Sequence, residues 1–474
     1  MVCIVNKPQG AYPAAPSSSF TPTSTVAENI VPTSTAVNPE LSAAASSAAS
    51  AAAHTAGGAI LSAAGRTARV LVLGASLEIA PFLELLSAAG IAVVCLDRKP
   101  QLSADFLAAY PLIKCVPQDF SDLEKVRVLL QHEHITHTLA LPVGRALTTL
   151  GKINDEFGFT GPSFQAIDVM TDKGKYHEFA RAHQLHDYPF VVLPDASEAS
   201  LQAVQATVAT QIGYPCIIKP SFGSGSDGVR LISSPPELLS YQASERFKDS
   251  PLIVEKYLSG PEYNCNMFFT ADGEPHFFGV FLKEVSPAPY RQEITYLVDN
   301  VDAVMAHLLP FYRRLGKAFN LCECFLSADT IISPEGVPYI IDISPRLVGN
   351  SLIKVFLQDG INPMAIFKQD VLQQEPLNLS PHLHHLSLRF FSFAPPLTYL
   401  NPVALADVFT PEEQSHIVAF SNQLQEGQTY DGMQKGQDIA RGYIMVEHET
   451  TAQADNLAKR YLDAIVAHNS KQQQ

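Results

Sequence analysis

The sequence is poor in paired cysteines and in basic residues, and both shortages exclude classes of protein. Its 474 residues contain seven cysteines, an odd number without paired spacing, which argues for a reducing compartment and against a disulfide framework. Cys322 and Cys324 are too close together for a CxxC redox or zinc motif. The 32 Lys and Arg residues are outnumbered by 47 Asp and Glu, and the net charge of −15 argues against a nucleic-acid partner.

The first 66 residues have few large apolar side chains and are rich in Ala, Ser, Thr and Pro. Such a segment buries too little surface to offset its ordering entropy, so we expect a disordered tail. Residues 41–65 lack the Leu, Ile and Phe content of a membrane span, and no basic start precedes an apolar core as in a secretory signal. An organelle transit peptide is the alternative, but the low arginine content disfavours it. We therefore expect a cytoplasmic protein without a membrane partner.

Downstream of this tail the pattern is that of a globular α/β protein. Residues 70–76 predict an apolar strand ending in a glycine turn, residues 79–89 have helical periodicity, and residues 91–97 predict a second strand with an acidic end. This order predicts a Rossmann-like unit, to whose sheet residues 138–143 would add a later strand. A dinucleotide-binding domain is the alternative, although residues 74–76 lack the full GxGxxG pattern.

A glycine-rich loop between two β-rich runs has the composition of an anion-binding turn. The apolar strand at residues 214–220 includes Lys219 and leads into Ser221-Phe222-Gly223-Ser224-Gly225-Ser226-Asp227-Gly228. The glycines allow the loop to fold back with its N–H groups toward a phosphate, and Lys219 adds a point charge. The lysine precedes the glycines, so this is not the GxxxxGK[ST] pattern. On this segment alone, a flexible turn is the alternative.

Residues 252–264 have a composition that suits an adenine nucleoside. An apolar strand leads into Glu255-Lys256-Tyr257-Leu258, then a Ser-Gly-Pro turn, then Glu262. A hinge of this kind offers backbone groups to an adenine edge, and the later carboxylate can accept hydrogen bonds from ribose hydroxyls. Taken singly, both glutamates could be ordinary charges at strand ends.

Residues 328–346 have a composition that suits a metal ion. Two apolar runs flank a Ser-Pro-Glu-Gly turn, which predicts a β-hairpin that brings Asp329 and Asp342 near one another. Like charges on adjacent strands repel unless a cation lies between them, and hard oxygen ligands suit Mg²⁺. A solvated surface hairpin is the alternative on this segment alone.

Taken together and in this order, these segments resemble the ATP-grasp fold. Residues 170–176, Met-Thr-Asp-Lys-Gly-Lys-Tyr, add a resemblance to the lysine-bearing helix start that opens the ATP-binding domain of that family. The resemblance implies an α/β and α+β protein. Its expected parts are the disordered tail (1–66), a Rossmann-like pre-ATP-grasp domain (67–160), an ATP-grasp domain (161–378) with a small lid subdomain (187–262) and a larger antiparallel-sheet subdomain, and a C-terminal α+β part (379–474).

The resemblance also implies a role for each site residue. ATP would be bound by Lys173, Lys219, Ser221, Gly223, Ser224, Gly225, Ser226, Gly228, Glu255, Lys256, Tyr257, Leu258 and Glu262. The lysines would contact the α- and β-phosphates, the glycine loop would cover them, residues 255–258 would receive the adenine, and Glu262 would bind the ribose. Mg²⁺, or alternatively Mn²⁺, would be held by Asp329, Asp342 and Ser344. Arg346, Lys219 and Arg291 form the expected catalytic set, and Lys283 and Arg291 would reach the second substrate.

One departure from the family pattern concerns the metal. The family usually has Glu-x-Asn where this chain has Asp342-Ile343-Ser344. A shorter carboxylate and a hydroxyl still supply hard oxygens, so the change bears on metal affinity or on the number of ions.

The implied activity is that of a carboxylate–amine ligase that releases ADP and phosphate through an acyl phosphate. Its expected partners are a small-molecule carboxylate and an amine, and the resemblance also implies a homodimer. Two alternatives stay open. One is a bicarbonate- or carbamoyl-type relative, disfavoured by the lack of a biotin-carrier sequence or a second ATP-grasp copy, and the other is a non-catalytic ATP-binding regulator.

Overall fold

The computed structural model describes residues 68–223, 225–299, 301–358, 360–379 and 385–470. The predicted tail therefore falls outside the described residues. The described part of the chain contains three larger sheets and one two-stranded ribbon. Mixed α/β architecture is thus confirmed, with one parallel sheet and two antiparallel ones.

The first sheet is parallel and has the strand order β3-β2-β1-β4. Its strands are β1 (Arg69–Leu73), β2 (Ala92–Asp97), β3 (Ile113–Pro117) and β4 (His137–Thr138). The helices that accompany it are α1 (Ala80–Ala88), α2 (Ala104–Ala109), α3 (Leu123–His132) and α4 (Leu147–Phe157). The apolar runs of β1 and β2 are buried almost completely, as is usual for parallel strands covered by helices.

The strand predicted at residues 138–143 is shorter than expected. Only His137 and Thr138 pair with β1, and one further hydrogen bond joins Leu139 N to Leu71 O. The Ala140 carbonyl then accepts a hydrogen bond from Leu347 N, 3.1 Å away, so the chain leaves the sheet to meet another part of the molecule. Pro142, which has no N–H, could not have continued the ladder.

The second sheet is a small antiparallel one that we call the lid. Its strands are β5 (Phe190–Leu193), β6 (Cys216–Pro220), β7 (Arg230–Ile232) and β8 (Leu252–Lys256), in the order β5-β8-β6-β7. Helices α5 (Phe164–Met170) and α6 (Lys173–Ala182) precede it, and α7 (Glu198–Thr207), a π-turn (Val208–Ile212) and α8 (Pro235–Leu239) belong to it. The lid has its own apolar core around Leu193, Leu201 and Val254, separate from the other cores.

The third sheet has eight strands in the order β13-β12-β9-β10-β11-β14-β18-β16. They are β9 (Glu262–Phe269), β10 (Pro275–Val285), β11 (Glu293–Val298), β12 (Cys324–Ile332), β13 (Pro338–Ser344), β14 (His385–Phe390), β16 (Ile417–Asn422) and β18 (Gly442–His448). Strands β15 (Leu397–Thr398) and β17 (Thr429–Tyr430) form the ribbon. The C-terminal strands thus extend the same sheet that carries the aspartate hairpin.

Helices cover this large sheet. They are α9 (Asp302–Phe319), α10 (Asn350–Gln358), α11 (Pro363–Phe367), α12 (Leu405–Val408), α13 (Pro411–Gln414) and α14 (Thr451–Ser470), with short turns at Leu77–Ile79, Gly144–Ala146, Lys368–Leu372 and Gly436–Arg441. One continuous core joins the parallel sheet to one region of the large sheet, through residues such as Phe82, Phe268 and Phe356. The position of the parallel sheet against this region of the large sheet therefore depends on apolar packing.

Candidate active site

A cavity lies between the lid and the large sheet. Of the predicted site residues, those on its wall are Lys173, Lys219, Gly223, Gly225, Ser226, Glu255, Tyr257, Leu258, Glu262, Arg291, Asp329 and Asp342. The wall also includes Tyr188 and Lys283. Residues separated by up to 169 positions in sequence thus meet at one place. Ser221, Gly228, Lys256, Ser344 and Arg346 are not part of this wall, and Ser224 falls outside the described residues.

Lys219 is anchored inside the cavity on the lid side. Its Nζ is 2.5 Å from Glu255 Oε1 on the neighbouring strand β8 and donates to the Ile341 carbonyl, 2.8 Å away, on the hairpin. Glu255 also contacts His177, Nε2 to Oε2 at 3.0 Å. Burial favours the protonated form of Glu255, but Lys219 and His177 together hold its pKa below the usual range. The glutamate is thus an ionised partner of Lys219, and its carboxylate does not point freely at an adenine.

Lys173 reaches the same cavity from the start of helix α6. Asp172 caps that helix by accepting from Lys175 N, so the lysine is at the first helical position. The Lys173 Nζ lies 2.9 Å from Asp342 Oδ1 and 3.3 Å from the Gly223 carbonyl. It therefore joins the glycine loop to the aspartate hairpin, at the place where phosphates with their negative charge would be stabilised.

The aspartate hairpin forms as predicted, and its register brings the two carboxylates together. Strands β12 and β13 are antiparallel, and Asp329 and Asp342 are direct partners across them, next to a bulge. The side chain of Asp342 is 49 % exposed. Desolvation raises the pKa of Asp342, but Lys173 acts against this, and the resulting pKa is below the usual value. Burial, together with Glu262 and Asp342, raises the pKa of Asp329 even though Lys283 acts the other way.

The oxygens of this hairpin fit a hard divalent cation. Each carboxylate is paired with one ammonium group: Lys283 Nζ is 2.7 Å from Asp329 Oδ2, and Lys173 Nζ is 2.9 Å from Asp342 Oδ1. These ammonium groups show that the position is favourable for positive charge, as Mg²⁺ would require. Among the described residues, no group of three or more His, Cys, Asp and Glu side chains is arranged to hold a metal ion. A site here would thus use two carboxylates, with the remaining ligands from phosphate oxygens and water.

Ser344 and Arg346 are not on this cavity wall, and their predicted roles at the metal and in catalysis stay predictions. Ser344 is the register partner of Ser327 at the end of β13, and its carbonyl accepts from Arg346 N. The Arg346 Nη1 donates to the Leu347 carbonyl at 2.8 Å. Burial lowers the pKa of Arg346, against the opposite effects of Asp342 and Glu78.

Glu262 lines the cavity and pairs with two basic residues that follow it in the chain, before the aspartate hairpin. Its two oxygens contact Lys283 Nζ at 2.8 Å and Arg291 Nη2 at 2.9 Å. The Arg291 guanidinium also lies 5.6 Å from the centre of the Tyr257 ring, within cation–π range. Lys283 and Arg291 thus lie on the cavity wall and are both paired with Glu262, and their contact with a second substrate stays a prediction.

The glycine loop combines residues that face the cavity with residues that serve the fold. Gly225 and Ser226 have positive φ angles of 68° and 52°, which produces the tight return of the chain. The Gly225 carbonyl accepts from Gly436 N at 2.8 Å, so the C-terminal part holds the loop tip. Ser221 is buried and its hydroxyl donates to Asp172 Oδ1 at 2.7 Å. In this structure the Ser221 hydroxyl thus fixes the start of α6, and its predicted part in ATP binding stays a prediction.

Gly228 likewise has a local role in the fold. Its carbonyl accepts from Tyr241 Oη at 2.8 Å, and a Cβ added at this position would lie 3.1 Å from the Pro220 ring. With a φ of 80°, this position favours glycine. The residue closes the loop but is not part of the cavity wall.

Three residues that contact the site were not predicted from the sequence. The hydroxyl of Tyr188 donates to the Lys256 carbonyl at 2.6 Å, which fixes the hinge, and Asn264 Nδ2 donates to Asp329 Oδ1 at 2.8 Å. His177 contacts Glu255. Two of the three carried a signal: Asn264 follows Glu262 by two residues on a strand, and His177 follows Lys173 by four on a helix, so each shares a face with a predicted residue. Tyr188 had no such signal.

Gly260, in the turn that leads to Glu262, yields a stability prediction. Its φ is +136°, and a Cβ added there would lie 2.1 Å from the Ile332 carbonyl oxygen. We expect Gly260→Ala to lower the free energy of unfolding by about 3 kcal/mol, because the backbone must shift and strain is added. Urea unfolding measures the change. Gly427→Ala is the control: its φ is +80° and nothing lies within 4 Å, so it should lose only about 1 kcal/mol. Equal losses in both variants would contradict the steric argument.

Acid should destabilise the fold through a buried histidine near the cavity. Burial lowers the pKa of His186 to about 3, far below its unfolded value. Below pH 6.5 the unfolded chain binds a proton that the folded chain does not, so stability falls as the pH decreases from 6.5 toward 3. For this residue the loss between pH 7.5 and pH 5 should be about 2 kcal/mol. Urea unfolding at both pH values checks this. His186→Phe should reduce the difference by that amount, and an unchanged difference would contradict it.

The fold and the cavity can be compared with those of known proteins. A lid sheet with a lysine and a glycine loop, a hinge strand, and an aspartate hairpin on a large antiparallel sheet enclose one cavity. This is the arrangement that the sequence resemblance implies. Residues 212–354 match the family model described as an ATP-grasp domain.

Curated relatives match at low identity over part of their length. A D-alanine–D-alanine ligase of Clostridium beijerinckii is 28 % identical over 220 residues, which are 44 % of this chain and 69 % of the ligase. The uncharacterized protein y4rH of Sinorhizobium fredii is 27 % identical over 210 residues, 43 % of this chain and 41 % of that protein. An arginine-specific carbamoyl phosphate synthase large chain of Halalkalibacterium halodurans is 22 % identical over 314 residues, 64 % of this chain but 29 % of the synthase. The chain thus spans less than half the length of the last two.

Solved structures share the fold over most of the described chain. An L-amino acid ligase from Bacillus licheniformis aligns with a TM-score of 0.65 at 16 % identity, covering 84 % of this chain and 98 % of the ligase. An N5-carboxyaminoimidazole synthase from Aspergillus clavatus, in complex with ADP and 5-aminoimidazole ribonucleotide, aligns with a TM-score of 0.59 at 16 % identity, covering 84 % and 99 %. At these identities the likeness concerns the fold.

Within the described ranges, none of the helices combines the length and the apolar character that crossing a lipid bilayer requires.

Proposed function

We propose that this protein is an ATP-dependent ligase that joins a small-molecule carboxylate to an amine, releasing ADP and phosphate. The observation that carries the proposal is the cavity in which Lys173 and Lys219 face Asp329 and Asp342 between the lid and the large sheet. Two ammonium groups and two carboxylates at one place suit a nucleotide triphosphate with its divalent cation. The likeness to an amino acid ligase and a D-alanine–D-alanine ligase supports this class.

In the first step, an oxygen of the carboxylate substrate would attack the γ-phosphorus of ATP. The bond from that phosphorus to the β–γ bridging oxygen would break, leaving ADP and an acyl phosphate. Lys173 and Lys219 would neutralise the phosphate charges, and Tyr257 and Leu258 would receive the adenine. Because phosphoryl transfer needs little covalent help, the contribution of these residues is charge neutralisation and alignment.

In the second step, the amine nitrogen would attack the acyl carbonyl carbon. The carbon–oxygen bond to phosphate would break, and the amine would lose a proton as phosphate leaves. Lys283 and Arg291 are the side chains proposed to contact the acyl phosphate or the carboxylate. The glycine loop and the lid would exclude water, which otherwise hydrolyses the intermediate.

Mg²⁺ would be held by Asp329 and Asp342 and would supply charge neutralisation to the phosphates. For these ligands to become available, the Lys173 and Lys283 ammonium groups must exchange their present carboxylate partners for phosphate or substrate oxygens. Such an exchange would give each ammonium group a new anionic partner as ATP enters. Ser344 stays the third predicted metal ligand.

A bicarbonate-type reaction is a second candidate. It is favoured by the similarity to a carbamoyl phosphate synthase and to a carboxyaminoimidazole synthase. In that reaction bicarbonate, rather than an organic acid, would be phosphorylated. The chemistry of the cavity suits either acid, because both present an oxyanion to the same phosphate.

ADP release from the purified protein with Mg-ATP tests these alternatives. Pools of amino acids and other carboxylates would be added with and without an amine, and bicarbonate would be tested separately. Release that requires both a carboxylate and an amine supports the ligase, whereas release with bicarbonate alone supports the second candidate. ATP binding without release in any pool would contradict both and favour a regulatory protein. Light scattering on the same preparation would test the implied homodimer.

A further inference from the structure

A chain of buried polar contacts lies behind the nucleotide cavity. Glu255 Oε1 is 2.5 Å from Lys219 Nζ, and Glu255 Oε2 is 3.0 Å from His177 Nε2. Lys219 and Glu255 line the cavity, whereas His177 is not part of the wall. The side chains of Glu255 and His177 are 2 % and 1 % exposed, so water does not compete for these contacts. Glu255 is therefore the hydrogen-bonded connection between His177 and the cavity.

The contact with Glu255 determines what His177 can donate. Burial lowers the pKa of His177, against the opposite effect of Glu255, so the imidazole is neutral at pH 7. A neutral imidazole facing a carboxylate carries its proton on the facing nitrogen, here Nε2, and donates it to Glu255. Its Nδ1 has no hydrogen-bond partner among the described residues. The single polar contact of the ring is thus the one to Glu255.

Aromatic packing fixes the orientation of that ring. The ring of Tyr188 lies edge-on at 4.7 Å from the His177 centroid, and the ring of Phe190 lies at 5.2 Å. His186 packs against it at 5.7 Å, with neither of its own nitrogens hydrogen-bonded among the described residues. Because the ring cannot turn freely, the direction of its N–H is set before any ligand arrives.

We propose that His177 is a positioning residue for nucleotide binding, which holds the Glu255 carboxylate in the orientation that directs the Lys219 ammonium toward the phosphates. Lys219 has two anchors, Glu255 Oε1 and the Ile341 carbonyl. Without the hydrogen bond from His177, the Glu255 carboxylate can rotate. The Lys219 ammonium would then move with it, because the two groups are oppositely charged and in contact. His177 itself touches no substrate. The inference rests on the proposed function only in taking the cavity as the ATP site.

Titration calorimetry with a non-hydrolysable ATP analogue and Mg²⁺ tests this on the full chain. His177→Phe keeps an aromatic ring in the cluster but removes the donor, and we expect it to bind the analogue about tenfold more weakly. His177→Gln places an amide N–H near the position of Nε2, so its affinity should stay within about threefold of the wild type. Recovery by glutamine would show that the hydrogen bond, rather than the ring, is what nucleotide binding requires.

His186→Phe is the matched control. It changes a buried ring of the same cluster that makes no hydrogen bond in the described structure, so it should leave the analogue affinity unchanged whatever it does to the melting temperature. The proposal is overturned if His177→Phe binds like the wild type, if both phenylalanine variants weaken binding equally, or if glutamine restores nothing. Binding of the analogue needs neither carboxylate nor amine, so a failure to detect ligase turnover would not affect this test.

Discussion

Lys219→Ala is expected to reduce ATP-dependent turnover by about 100-fold or more, the scale seen when one preorganised charge partner of a transition state is removed. The lysine is buried beside Glu255 and is fixed to the hairpin through the Ile341 carbonyl. Steady-state ADP release at saturating substrates measures the effect. Lys248→Ala, on an exposed part of the lid, is the control and should turn over like the wild type.

The alanine variant also leaves the buried Glu255 carboxylate with His177 as its remaining described side-chain partner, which can destabilise the fold by about 3–5 kcal/mol. The double variant Lys219→Met/Glu255→Gln separates the two effects. It removes both charges together, so it should fold better than the single variant and still be inactive. Near-normal turnover in the folded double variant would contradict the role proposed for Lys219.

Asp342→Asn is expected to have an effect of similar size, about 100-fold or more in turnover. Asp342 is the more exposed of the two hairpin carboxylates, and its partner Lys173 keeps it ionised. The amide keeps the shape but removes the negative charge that would bind Mg²⁺ and balance Lys173. Turnover should therefore recover in part at higher Mg²⁺ concentration, which a titration of ADP release against Mg²⁺ would detect.

Glu335→Gln supplies the matched control for this hairpin. Glu335 lies in the exposed turn that joins the two strands, so the same chemical change there should leave turnover and its Mg²⁺ dependence unchanged. If Asp342→Asn behaved like Glu335→Gln, Asp342 would have no part in binding the metal.

The local elements of the site could be predicted from the sequence because their signals are local. Apolar runs around Ser-Pro-Glu-Gly specify a hairpin, and its turn length places Asp329 opposite Asp342. The glycines between β6 and β7 and the Asp172 cap before Lys173 are signals of the same kind. Each of them depends on neighbours in the chain rather than on the tertiary fold.

The pairing of charges could not be predicted in this way. Lys173 with Asp342 joins the start of α6 to the hairpin, and Lys283 with Asp329 joins two strands that are not neighbours in the sheet, so both contacts depend on the tertiary fold. Ser221 is a second example. Its position in a glycine loop suggests a contact with phosphate, but in the structure α6 lies close to the loop and the Ser221 hydroxyl donates to Asp172. The sequence of a segment indicates which polar groups it contains, but tertiary packing determines which partner each group contacts.

Transfer of oxygen-18 tests the central claim most directly. The carboxylate that supports ADP release would be labelled in both oxygens and incubated with Mg-ATP and the amine, and the released phosphate would be analysed by mass spectrometry. An acyl-phosphate intermediate predicts one labelled oxygen in each phosphate and ADP as the nucleotide product. Phosphate without label, or AMP with label, would contradict the account.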